Sequence, residues 1–150
     1  ITYRSMLGGI LVQDSDGKLM TKDDLTCVTD AKPTDEQIED LLFAWKVVKH
    51  TKSNAIVFAR DKVSTGIGGG QTSRVDSTVI AAGRAAGKAK GSVMASDAFF
   101  PFPDSVEAAA KEGVAAIIQP GGSIKDEEVI AKANSLDIPM VLTGTRGFRH

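Results

Sequence analysis

The stretch Val93-Met-Ala-Ser-Asp-Ala-Phe-Phe-Pro-Phe-Pro-Asp104 contains an apolar run, an aromatic loop and the start of a helix. The two prolines lack a backbone N–H and push the residues before them out of the α region. Neither a helix nor a central strand can therefore run through the loop. The pattern predicts a buried strand up to Ala95, a rigid extended loop, and a helix that Asp104 caps and that runs to Lys111.

The aromatic loop, residues 96–104, has two interpretations from composition alone. Rigid loops that carry aromatic side chains at the end of a strand often build sites for flat ligands. Aromatic side chains are nevertheless core material in most proteins. By itself the loop favours phenylalanines that fill the core, and a ligand site stays open as the alternative.

Strands and helices alternate on both sides of this loop. A capping box at Thr34 and Gln37 opens a helix that ends near His50, with Trp45 in its apolar stripe. Further elements are predicted as a hairpin over 55–68, a helix over 73–89, a strand over 114–119, a helix over 126–136 and a strand over 139–143. This alternation predicts an α/β layered domain, and the hairpin favours a mixed sheet. The apolar run 5–13 reads as one more buried strand, and 18–31 as a surface crossing.

Bulk composition narrows the classes of function. The chain has 150 residues and a formal net charge of −1, so one domain is expected and neither nucleic acid nor an anionic membrane is an expected partner. The single cysteine, Cys27, excludes an intrachain disulfide and favours a reducing compartment such as the cytoplasm. The chain begins without Met and without a signal peptide, so a fragment or a processed piece is expected.

Two local patterns offer candidate chemistry. The run from Gly66 to Gln71 precedes a helix and is compatible with a phosphate-binding loop or a plain tight turn. Arg74 lies in the first turn of that helix, where a cation is unfavourable by up to about 1 kcal/mol, so a ligand or a carboxylate partner is expected. Lys49 and His50 better fit cations at a helix C-terminus than a general base. The Arg146–His150 ending suggests a tail tied into a site.

Several ordered motifs together resemble one known family. They are Tyr3-Arg-Ser, Gly8-Gly-Ile-Leu-Val-Gln13, Asp40-Leu-Leu-Phe-Ala-Trp-Lys46, Ser53-Asn-Ala-Ile56, Gly68-Gly-Gly-Gln-Thr-Ser-Arg-Val-Asp76, Ser96-Asp-Ala-Phe-Phe-Pro-Phe102, Gln119-Pro-Gly-Gly-Ser123 and Arg146-Gly-Phe-Arg-His150. In this order they resemble the C-terminal part of the bifunctional purine biosynthesis proteins. The matching part is the second half of the region that carries aminoimidazole carboxamide ribonucleotide (AICAR) formyltransferase activity.

The resemblance implies a fold and a function. The fold would be a cytidine-deaminase-like three-layer α/β domain with a mixed sheet, the second of two copies, with residues 1–150 lacking the upstream copy and the cyclohydrolase domain. The family transfers a formyl group from 10-formyltetrahydrofolate to the 5-amino group of AICAR on the way to inosine monophosphate (IMP), and its other activity is a hydrolase. A homodimer, completed by the upstream half, would be the working form, and this chain alone would turn over weakly.

The resemblance also assigns residues to roles. Asn54 would be catalytic, and AICAR would be bound by Asn54, Arg74, Phe99 and Arg146. Folate would be bound by Val75, Pro101, Phe102, Asp104 and Ser123. A monovalent cation such as K⁺ would lie near Thr51, Ser53 and Asp97.

Three departures from the family pattern support an alternative. The family's catalytic Lys-His pair lies upstream, Pro103 stands where the family usually has Arg, and Gly147 stands where bacterial members frequently have His. A non-catalytic module that binds nucleotide or folate, or that dimerises, is therefore the alternative expectation.

Overall fold

The computed structural model of this chain describes residues 1–15 and 17–147. Its helices are α1 (Asp35–Val48), α2 (Arg74–Ala85), α3 (Asp104–Lys111) and α4 (Asp126–Ser135). Its strands are β1 (Thr2–Met6), β2 (Gly9–Gln13), β3 (Thr26–Cys27), β4 (Ile56–Arg60), β5 (Val63–Gly68), β6 (Val93–Ser96), β7 (Ala116–Gln119) and β8 (Met140–Leu142). None of the described helices is both long and apolar enough to cross a membrane.

Six strands form one mixed sheet in the order β3-β8-β7-β6-β4-β5. Strands β6, β7 and β8 are parallel, whereas β4 is antiparallel to β6, β5 to β4 and β3 to β8. The predicted α/β class, the mixed sheet and the hairpin of β4 and β5 are confirmed.

The sheet separates two apolar clusters, because alternate residues of a strand point to opposite faces. Ile56 and Phe58 of β4 pack with the side chains of α2, α3 and α4. Val57 and Ala59 pack with α1, whose Trp45 is only 3% exposed. Helix α1 therefore covers one face of the sheet and the other three helices cover the opposite face.

Local signals explain where α1 begins. The Thr34 side chain accepts a hydrogen bond from the backbone N–H of Gln37 at 3.1 Å, and the Gln37 side chain accepts one from the N–H of Thr34 at 3.0 Å. The predicted capping box is confirmed, and it satisfies two amides that the helix itself cannot pair.

The prediction of a buried strand over 5–13 is wrong. The chain reverses at Leu7 and Gly8, where Gly8 has a φ of +85°, and β1 and β2 form a separate antiparallel hairpin. Every residue of both strands is exposed. The surface segment 18–31 also contains the short edge strand β3, which the sequence did not predict.

The turn between β4 and β5 depends on Asp40 of α1. Asp61 and Lys62 form this turn with φ values of +54° and +56°, a left-handed conformation that costs residues other than glycine free energy. The Asp40 carboxylate accepts hydrogen bonds from both of their backbone amides, at 2.9 and 2.8 Å. One side chain thus fixes the hairpin onto α1.

Asp40→Ala is expected to lower the free energy of unfolding by about 1–3 kcal/mol, because hydrogen bonds to a charged group are lost at two amides. Urea denaturation followed by circular dichroism measures the change. Glu39→Ala is the matched control, since Glu39 makes an exposed ion pair with Lys62. Equal small effects of the two substitutions would contradict this role of Asp40.

Candidate functional site

The sheet topology brings distant parts of the chain to one edge. The carboxyl ends of the parallel strands β6, β7 and β8 share this edge, and antiparallel β4 begins there. Strand β5 ends at the same edge, and the turn after it leads into α2. In open α/β sheets, ligands bind at the carboxyl ends of parallel strands.

A cleft of about 380 Å³ lies at this edge. Seven of the nine residues that were expected to bind nucleotide or folate line it, together with Thr72, Ser73 and Ala98. The seven are Asn54, Arg74, Val75, Phe99, Pro101, Phe102 and Asp104. The site residues expected from three separate motifs therefore meet in space.

The other two expected residues lie outside this lining. The guanidinium carbon of Arg146 is 4.9 Å from the centre of the Phe99 ring, so Arg146 stacks on a residue of the cleft. Ser123 lies in the turn before α4, where its N–H donates to Asp126 at 3.1 Å and its hydroxyl accepts from the N–H of Lys125 at 3.1 Å. The structure thus places Arg146 beside the cleft and gives Ser123 a local partner in the turn.

Arg74 has the carboxylate partner that its position predicted. Its Nη1 donates to Oδ1 of Asp97 at 2.6 Å, and the two side chains are 7% and 0% exposed. Its Nη2 donates to Oδ1 of Asn54 at 3.0 Å, and its Nε donates to the carbonyl oxygen of Phe99 at 3.2 Å. One guanidinium therefore links α2 to the start of β4, the end of β6 and the aromatic loop.

Asp97 collects further donors from the same edge. Its Oδ1 also accepts from the N–H of Ala55 at 3.1 Å, and its Oδ2 accepts from the hydroxyl of Ser53. Its carbonyl oxygen accepts from the N–H of Gly147 at 2.8 Å. The predicted attachment of the tail to the site is confirmed at Arg146 and Gly147, and residues 148–150, including His150, lie outside the described residues.

The side-chain amide of Asn54 is held in one orientation. Its Nδ2 donates to the carbonyl oxygens of Gln71 at 3.1 Å and Thr72 at 3.0 Å, and its Oδ1 accepts from Arg74. A flipped amide would place its oxygen against two carbonyl oxygens and its N–H groups against a cation. Both N–H groups of Asn54 are thus used, and one lone pair of Oδ1 is left for a ligand.

The residues expected around a monovalent cation already have protein partners. Thr51 donates its hydroxyl to the carbonyl oxygen of Val47 at 3.0 Å, and Ser53 donates to Asp97. The charge of Asp97 is balanced by Arg74. The described residues contain no cluster of three or more His, Cys, Asp or Glu side chains that could hold a metal ion. The arrangement does not require a cation for charge balance, so K⁺ stays a prediction.

The glycine run before α2 has a packing role that the sequence did not reveal. A Cβ on Gly66 would lie 2.1 Å from the carbonyl oxygen of Ala81, and one on Gly68 would lie 2.0 Å from that of Ser77. Strand β5 therefore approaches α2 more closely than any side chain would allow. Gly70, further along the run, has a φ of +70° and donates its N–H to the carbonyl oxygen of Lys52 at 2.7 Å.

The aromatic loop divides between core and cleft. Phe100 is fully buried, whereas Phe102 is 56% exposed and lines the cleft. The prediction that Asp104 caps α3 is wrong by one residue, because Pro103 occupies the cap position and Asp104 is the first helical residue. Asp104 accepts instead from the N–H of Ser105 at 2.8 Å.

Lys49 and His50 follow directly after α1, as expected for cations at a helix C-terminus. Lys49 caps this helix, and its Nζ donates to the carbonyl oxygen of Lys18 at 3.1 Å. Neither residue is among the described residues that line the cleft.

Comparison with known proteins adds the family. Residues 1–84 match the family described as AICARFT/IMPCHase bienzyme. The chain is 59% identical over 151 residues to the bifunctional purine biosynthesis protein PurH of Persephonella marina. The match covers 99% of this chain and 29% of that protein. It is 57% identical over 147 residues to PurH of Caldicellulosiruptor saccharolyticus. This match covers 98% of this chain and 28% of that protein.

Among solved structures, RibD of Acinetobacter baumannii has a TM-score of 0.47 at 14% identity, over 70% of this chain and 34% of that chain. This similarity is too low to bear on the fold.

The fold and the cleft define an α/β protein with a ligand-sized site at the carboxyl edge of its parallel strands. The chain belongs to the AICARFT/IMPCHase bienzyme family. It spans 28–29% of the length of the two PurH relatives described above.

Proposed function

We propose that this chain is the second half of the AICAR formyltransferase region of a purine biosynthesis bienzyme. It would serve the transfer of a formyl group from 10-formyltetrahydrofolate to the 5-amino group of AICAR. The observation that carries the proposal is that seven of the nine residues expected to bind nucleotide or folate line one cleft. A cytidine-deaminase-like fold, a homodimer and a cytoplasmic location belong to the same proposal.

In this reaction a bond forms between the AICAR amine nitrogen and the formyl carbon, and the bond from that carbon to N10 of the folate breaks. The amine loses a proton, and N10 gains one. The amine is a poor nucleophile because its lone pair is delocalised into the ring and carboxamide, so its orientation matters for the rate. The free lone pair of Asn54 Oδ1 can accept an N–H of this amine and turn the nitrogen toward the formyl carbon.

The remaining residues of the site have simpler tasks in the proposal. Arg146, stacked on Phe99, supplies a cation for the phosphate or carboxamide of the nucleotide. Val75 and Pro101 form an apolar wall for the folate, and the exposed ring of Phe102 stacks on its pterin or aryl portion. Monovalent cation binding enters no step.

In this proposal, the general base that removes the amine proton is supplied from outside this chain. Arg74 and Asp104 are the charged residues among the described lining of the cleft, and the Arg74 guanidinium is paired with Asp97. The family's Lys-His pair, upstream of this region, would remove the amine proton. The chain alone is therefore expected to bind ligands weakly and to turn over little.

A chimera tests the proposal. In it, this chain replaces the corresponding segment of the Persephonella marina relative, and formyl transfer is measured. The chimera is expected to be active, and Asn54→Ala is expected to lower its kcat by about 10²-fold with a smaller change in KM, because orientation of the nucleophile is lost. Val79→Ala, at an exposed position of α2, is the control and is expected to keep full activity.

Three results would contradict parts of this proposal. An inactive chimera that binds AICAR and a folate analogue in titration calorimetry would support the non-catalytic binding module instead. A chimera that binds neither ligand would overturn the proposed function. Efficient turnover by the 150-residue chain alone would overturn the external base.

A further inference from the structure

We propose that Arg74 is a positioning residue. Its guanidinium fixes the side-chain amide of Asn54, so that a ligand meets only the carbonyl oxygen of that amide. The effect on turnover rests on the proposed function, whereas the effect on Asn54 concerns this chain alone.

The first support is the geometry of the guanidinium. Arg74 uses its Nε, Nη1 and Nη2 on Phe99, Asp97 and Asn54, and each acceptor belongs to a different part of the site edge. An Arg fork can bond three acceptors in fixed directions, whereas a Lys ammonium is a point charge on a flexible stem. Holding Asn54 in place therefore requires the planar guanidinium group, and a positive charge alone is not sufficient.

The second support is the cost of losing this cation. Asp97 is fully buried, so a missing partner would leave its charge buried and uncompensated. The same ion pair anchors the side chain that holds Asn54 Oδ1. Stability and the orientation of the amide are therefore coupled through one residue.

The arrangement determines what kind of ligand group Asn54 can recognise. Its two N–H bonds are occupied by the carbonyl oxygens of Gln71 and Thr72, and Oδ1 keeps one lone pair. Asn54 can therefore accept a hydrogen bond from a ligand amine and cannot donate one to a carbonyl or phosphate oxygen. Arg74 and these two carbonyl oxygens together make this position selective for ligands that present an N–H donor.

Hydrogen exchange of the asparagine side chains tests the structural part on the 150-residue chain. The chain has two asparagines, and Asn134 serves as the internal reference. The Asn54 amide protons are expected to exchange at least about 10-fold more slowly than in Arg74→Lys, with no change at Asn134. Rapid exchange at Asn54 in the unaltered chain would overturn the proposal.

A double variant guards against misfolding. Arg74→Met with Asp97→Ala removes both charges, so no buried charge is left unpaired. It is expected to fold and to show the same fast exchange at Asn54. Slow exchange at Asn54 in this variant would overturn the proposal, because the amide would then be held without Arg74.

Kinetics of the chimera test the functional part. Arg74→Lys is expected to lower kcat by about 10²-fold and to change the KM for AICAR by less than about 3-fold, because position is lost and charge is kept. A full rescue of kcat by lysine, or an effect confined to KM, would assign Arg74 to direct contact with the substrate. If the unaltered chimera is inactive, the proposed function fails while the exchange result still decides the role of Arg74.

Discussion

Asp97→Ala is expected to lower the free energy of unfolding by about 3–5 kcal/mol, because it leaves the Arg74 guanidinium buried without a counter-charge. The side chain of Asp97 is 0% exposed, and its carboxylate also accepts from Ala55 and Ser53. Domains of this size are stable by roughly 5–15 kcal/mol, so the loss is a large part of the total. Urea denaturation of the 150-residue chain, followed by circular dichroism, measures it.

A double-mutant cycle with Arg74→Met separates the ion pair from the other bonds of Asp97. The double variant is expected to be less destabilised than the sum of the two single variants, because it leaves no charge unpaired. Additive effects would show that the two side chains are not coupled. Asp76→Ala is the control for the loss of a carboxylate that is not buried, since Asp76 is exposed in the first turn of α2.

Local patterns predicted most of the elements, because their signals lie within a few residues of one another. The capping box of α1 depends on Thr34 and Gln37, and the hairpin of β4 and β5 on a two-residue turn. The prediction of a buried strand over 5–13 was wrong because an apolar run does not itself indicate whether the rest of the chain will pack against it. Gly8 permits the chain to reverse between β1 and β2. It does not indicate that these strands pair with each other or that they are exposed.

The sequence predicted which residues belong to the candidate site better than it predicted their contacts. The position of Arg74 at a helix start predicted a partner, but Asp97 lies 23 residues further along the chain, and only the sheet brings them together. The roles of Asn54 and Phe102 came from a resemblance between ordered motifs, since composition by itself placed the phenylalanines in the core. Phe100 is in the core and Phe102 is in the cleft, so each interpretation of the loop held for part of it.

Gly68→Ala is expected to destabilise the chain by about 3 kcal/mol or more, because the new Cβ would lie 2.0 Å from the carbonyl oxygen of Ser77. That atom belongs to the backbone of α2, so no side-chain rotation can relieve the clash and the whole helix must move. Helix α2 begins with Arg74, and its displacement would also disturb Asn54. Thermal unfolding of the chain and turnover of the chimera should therefore fall together.

Gly83→Ala is the matched control for this substitution. Gly83 lies within α2, and a Cβ at this position would meet no atom of another element within 4 Å. The substitution should therefore gain about 0.5–1 kcal/mol from the better helix propensity of alanine. If Gly68→Ala lowered the stability no more than Gly83→Ala, the inference that β5 packs closely against α2 would be contradicted. The glycine run would then need another explanation, and its phosphate-binding interpretation would regain support. If only Gly68→Ala unfolds the chain, the glycine run is explained by the close packing of β5 against α2, the helix that begins with Arg74.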